Sequence, residues 1–184
     1  MTTTLESLIG KKGTHAVGYF TSTPEPRQLD GGAKCKEDID NFELVELVAD
    51  PADEEVFYVQ KLKDAAKKGY IAYSSEVLHL AEFESKLDFW NGKDTMTSVF
   101  VQEPFVSFKV SNFKVVDAGK SAEDVVKGWY AYYVPATADA AAHYALTATK
   151  PTDQGNVFTV IGMGLDEASE LLGLEMVELL IEQG

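Results

Sequence analysis

Glu76, His79 and Glu82 are spaced three residues apart. On a helix they would share one face, and a Glu-x-x-His pair of this kind ligates iron in carboxylate-bridged bundles. Such a centre needs a matching set from other helices, and His143 has no Glu three residues before it. The trio therefore reads as a half-exposed polar face. Cys35 lies between Lys34 and Lys36, a setting that favours the thiolate. A nucleophilic cysteine also needs an oriented histidine and a third group, and His15, His79 and His143 share no motif with it. Gly10-Lys11-Lys12-Gly13-Thr14 has the residue types of a phosphate loop but neither its spacing nor a strand before it. Asp50, Asp53, Glu54 and Glu55 make an acidic turn without the alternating aspartates and glycine of an EF-hand. Trp129, Tyr130, Tyr132 and Tyr133 could stack on a sugar. Aromatic residues at period two more often divide between a core face and cross-strand partners. No catalytic constellation, cofactor motif or metal-ligand set emerges, so the sequence predicts a non-enzymatic protein that uses no cofactor.

The elements around these residues are mostly short strands. Phe42 to Leu47, Val56 to Leu62, Tyr70 to Ser74, Thr95 to Gln102, Val126 to Val134 and Asn156 to Gly162 are rich in apolar and aromatic residues between turn signals. Phe105 to Phe113 reads as one strand with apolar groups on both faces, and Pro104 before it favours a bend or an edge. Glu76 to Trp90 fits helix or strand, with Asn91-Gly92 as a turn after it. Pro135 to Thr149 is Ala-rich and gives no clear period. Asp166 can cap a short helix ended by Gly173, with Glu175 to Glu182 as a closing strand. One continuous helix is the alternative, and it would carry Gly173 at a cost of about 1 kcal/mol.

Residues 1–36 differ in composition. Five glycines and the prolines Pro24 and Pro26 are mixed with Val17, Tyr19 and Phe20. This predicts an extended N-terminal arm, because prolines hold their neighbours in extended backbone. Its apolar residues must pack either on their own domain or on a neighbour. The expected architecture is mainly β, sandwich or barrel-like, with one or two short helices. The arm covers 1–36 and a single β-rich domain covers 37–184.

The formal net charge of −14 repels nucleic-acid phosphates and anionic lipid surfaces. Arg27 is the only arginine, and no lysine or arginine follows Lys150. Neither nucleic acid nor membrane is therefore an expected partner. No stretch approaches the roughly 20 apolar residues of a membrane span. The single cysteine excludes an internal disulfide framework, and the first residues do not read as a signal peptide. These features suit a reducing cytoplasm.

Three stretches carry a resemblance. They are Glu84-Ser85-Lys86-Leu87-Asp88-Phe89-Trp90-Asn91-Gly92, then Thr97-Ser98-Val99-Phe100, then Phe108-Lys109-Val110-Ser111-Asn112-Phe113. With the closing pattern Phe158-Thr159-Val160, Leu172-Gly173 and Met176-Val177-Glu178-Leu179, the chain resembles capsid decoration or head-associated structural proteins of tailed bacteriophages. The resemblance implies a virion protein, assembled in the host cytoplasm, that binds the major capsid protein lattice and stabilises it, with homo-oligomer contacts on the capsid. Val17, Tyr19, Phe20, Pro24, Pro26 and Arg27 of the arm, with Phe89 and Trp90, are the candidate partner contacts. The alternative is a small β-barrel that binds an apolar or sugar ligand through the Trp129 to Tyr133 region.

Overall fold

In a β-strand successive side chains point to opposite faces, and this chain uses both faces of several strands. The computed structural model describes residues 15–22, 26–50, 57–74, 89–164 and 175–182. Five strands close into a small barrel: β2 (Ala33–Cys35), β3 (Leu44–Ala49), β4 (Phe57–Lys61), β5 (Tyr70–Tyr73) and β6 (Met96–Phe100). Their order is β2-β4-β3-β5-β6, and β2 completes the ring by pairing parallel with β4 and antiparallel with β6. Five strands enclose a narrow interior, and small or β-branched side chains fill it: Ala33, Cys35, Val45, Val59, Ala72 and Val99.

The remaining strands form one seven-stranded sheet. They are β1 (Gly18–Phe20), β7 (Ser107–Val110), β8 (Phe113–Val115), β9 (Tyr130–Val134), β10 (His143–Thr147), β11 (Val157–Gly164) and β12 (Met176–Ile181), in the order β1-β7-β12-β11-β9-β10-β8. The chain passes from β7, second in that order, to β8, the last, across Ser111 and Asn112 alone. The sheet must therefore curl, bringing its β8 margin back toward the end of β7. Phe108, Tyr133, Tyr144 and Phe158 fill the inside, with ring centroids 5.5–5.8 Å apart in tilted and edge-on contacts.

The barrel plugs this curled sheet. Leu44 and Ile71 face the large aromatic core, whereas their neighbours Val45 and Ala72 face the barrel interior, and all four are fully buried. One residue step thus switches core, which is why β3 and β5 carry apolar residues without alternation.

The fold is mainly β, as expected. Among the described residues helix is confined to one 3-10 turn, Ala122–Asp124, and the expected helix after Asp166 lies outside them. The closing segment is the strand β12, in agreement with the split reading. Other expectations are corrected. The single strand from Phe105 to Phe113 is two strands, because Phe113 N–H folds back onto Ser111 O (3.1 Å) and Ser111 N–H is taken by Val17 O (2.9 Å). The strand from Val126 begins only at Tyr130, because Gly128 has φ +96° and Trp129 N–H closes a turn on Val126 O. The indeterminate Ala-rich stretch contains β10. Of the two dispositions left open for the N-terminal segment, its described part packs on its own chain, supplying β1 to the sheet and β2 to the barrel.

Candidate interaction site at the seam

The residues singled out in the sequence disperse. Val17 is 2% exposed. Phe20 packs on Phe42 and Phe100, each at 5.0 Å. Tyr19 lies at the surface of β1 with Lys109 Nζ 5.9 Å from its ring centre. Phe89 and Trp90 are half-buried, and Trp90 stacks on His15 at 4.7 Å. His15 in turn meets Asp40 Oδ1 at 2.7 Å, so Trp90 serves as a loop anchor. Pro26 is half-buried, and Pro24 lies outside the described residues, as do Gly10 to Thr14, Asp53 to Glu55, and Glu76, His79 and Glu82. Cys35 is buried, and desolvation pushes its thiol up to about 11 against a hydrogen bond with Thr95, which disfavours the thiolate. The aromatic run divides: Tyr133 is buried and Trp129 packs against the core, while Tyr130 and Tyr132 are half-exposed on the other face. Arg27 alone reaches an exposed site of interest, pairing with Glu103 Oε1 at 3.3 Å.

That site is marked by backbone conformation. Three described non-glycine residues have left-handed φ: Phe42 (+62°), Asp94 (+67°) and Phe105 (+68°). Such a conformation costs a bulky residue about 1–3 kcal/mol. Asp94 is a residue type that tolerates it, since a short polar side chain can hydrogen-bond locally. Phe42 offsets the cost by burial. Its ring is fully buried between Phe20, Tyr73 and Phe108. Its N–H donates to Ala72 O at 2.8 Å, and its carbonyl accepts from the Tyr144 hydroxyl at 2.8 Å. Gly18 leaves room for the ring, because a Cβ there would sit 2.5 Å from it.

Phe105 has neither compensation: its ring is 68% exposed. Pro104 fixes the preceding φ, and Val106 N–H closes the turn on Glu103 O at 3.3 Å. Proline second and positive φ third is the arrangement of a type II turn, where glycine is the usual third residue. The turn is tied on both sides to β12, since Phe105 N–H donates to Ile181 O (3.1 Å) and Ile181 N–H to Val106 O (2.9 Å).

Beside the turn lies the seam between barrel and sheet. A groove of about 270 Å³ is lined by Lys68, Gln102, Lys150, Gln154, Val157 and Glu182, among others. The seam beneath is stitched by amides. Asn156 Oδ1 accepts from Gly69 N–H and Gln102 Nε2, both at 2.8 Å, and Asn156 Nδ2 donates to Lys67 O at 2.6 Å. Gly155 touches the barrel backbone so closely that a Cβ would lie 2.3 Å from Ala66 O. Lys150 and Thr159 both donate to Glu182. Burial alone would raise the Glu182 carboxyl, but these bonds outweigh it and hold the group below its ordinary value. Lys150 also lies 5.6 Å from the Tyr130 ring centre. These ionic groups neutralise one another, and among the described residues no three His, Cys, Asp or Glu are gathered for a metal ion. The geometry is that of a rigid surface presenting one aromatic knob next to a polar groove.

The sequence matches the YonC prophage protein family over residues 11–176. The chain belongs to that family. It is also 32% identical over 138 residues, 74% of each chain, to the SPbeta prophage-derived protein YonC of Bacillus subtilis strain 168. No solved structure matches it. The match to the YonC family supports a phage-related origin, and it spans both the barrel and the large sheet. Sequence reading missed Phe105 as a surface feature. The available signal was Pro104 followed by a bulky residue where a turn of that type wants glycine.

Proposed function

We propose that the chain is a non-enzymatic virion structural protein that binds the surface of the capsid lattice and stabilises the phage head. The observation that carries this reading is membership of a prophage family by a protein whose described polar clusters are spent on its own architecture. A net charge of −14 suits an outer face away from packaged DNA. Many copies on a lattice gain avidity from individually weak contacts. The test is to purify heads of the encoding phage with and without this gene. Mass spectrometry should find the chain in wild-type heads, and heads lacking it should break at lower temperature. Its absence from purified heads would sink the reading.

A second reading, a sugar-binding β-barrel module, draws on Tyr130, whose ring lies under Lys150, a residue that lines the polar groove. Titration with simple sugars should then show binding that Tyr130→Ala removes. Trp129, at first the natural candidate, packs against the core instead.

A further inference from the structure

We infer that the Glu103–Val106 turn is the seat of the partner contact, with Phe105 inserting into an apolar socket, rimmed by neutral or basic groups, on the capsid lattice protein. The partner's identity rests on the head-protein reading, whereas the anchor itself rests on the geometry.

Three facts converge on Phe105. Of the three left-handed non-glycine residues described, it alone has a strained backbone with neither a locally bonding side chain nor a buried ring to offset it. A position that glycine would fill without strain is thus held by a large aromatic ring displayed to solvent, and local strain of this kind collects at binding sites. The mount is stiff. Proline precedes the ring and two backbone hydrogen bonds clamp the turn to β12, so little conformational freedom remains to be lost on docking. Phenylalanine and arginine are both enriched in protein contacts, and Arg27 stands alongside, paired with Glu103.

Charge selects the partner. Two copies would bring together chains of charge −14 each. A neutral or basic rim on a different protein avoids that repulsion and complements the acidic chain.

The experiment measures binding of the full chain, and of Phe105→Gly, Phe105→Leu and Val126→Ala, to purified heads of the encoding phage from which this gene has been deleted. Val126 is another exposed apolar residue, at 59%, in a different turn. Phe105→Gly should weaken binding roughly thirty-fold or more while folding normally by circular dichroism. Phe105→Leu should fall between, and Val126→Ala should match wild type. Equal binding by wild type and Phe105→Gly would overturn the anchor while leaving the head-protein reading intact. No binding by wild type itself would overturn the head-protein reading and the assigned partner with it. Sedimentation of the free proteins supplies the last arm: a wild-type dimer that Phe105→Gly dissolves would make the partner a second copy and defeat the proposal.

Discussion

Phe42 and Phe105 share a left-handed backbone, with φ of +62° and +68°, yet one ring is fully buried and the other 68% exposed. At Phe42 the surrounding fold determines the conformation. Hydrogen bonds to its N–H and carbonyl, three aromatic neighbours and a glycine cut to fit leave the ring no other place. At Phe105 only the backbone is determined, and the ring touches little. The same backbone conformation therefore accompanies close packing in one case and a ring left mostly in solvent in the other.

Substitutions should separate the two sites. Phe42→Ala removes a ring from the centre of the core while keeping a Cβ in the left-handed region. It should lower the free energy of unfolding by about 3–5 kcal/mol, read from urea denaturation. A loss under about 1 kcal/mol would mean that Phe42 is not the keystone described. Next in size is Gly155→Ala, which probes the stiffness of the seam next to Phe105. Its methyl collides with the backbone at Ala66, and the expected loss is about 1–3 kcal/mol. An unaltered denaturation midpoint would show that the seam yields.

Phe105→Gly should go the other way. Relief of backbone strain exceeds the added freedom of glycine in the unfolded chain, giving a gain of about 1 kcal/mol at unchanged denaturant slope. A clear destabilisation would show that the exposed ring has an internal packing role.

The smallest effect is a pH dependence beside Phe42. Burial raises the Glu43 carboxyl above its ordinary 4.5, and this outweighs Lys61, at 3.3 Å, and the Asp40 N–H, which both lower it. In the window above 4.5 the folded state holds a proton that the unfolded state releases. The stability associated with protonated Glu43 is thus fully present below the unfolded value and is lost as pH rises through the folded one. Glu43→Gln should gain on wild type as pH increases across that window. A constant difference between the two at all pH values would refute the raised carboxyl.

Strands with a readable apolar pattern, β3 to β7 and β9, β11 and β12, were legible in the sequence. β1, β2 and β10 were not. The first two are three residues long, too short for a period to show, and β10 follows an Ala-rich stretch with little contrast between faces. The candidate contacts fared differently. Large apolar residues in a Gly- and Pro-containing segment have the same composition whether they dock outward or, as with Val17 and Phe20, pack inward.

The sequence by itself determined the β class, the strongly acidic character and the lack of a recognisable motif for chemistry, because alternation, charge and spacing are local properties. Tertiary structure alone decided which core each face of β3 and β5 enters. It also decided that Phe105, in line with the alternating residues of one apparent strand, turns outward. The turn that carries it is clamped by two hydrogen bonds with Ile181, a residue far along the chain that no local pattern brings beside it.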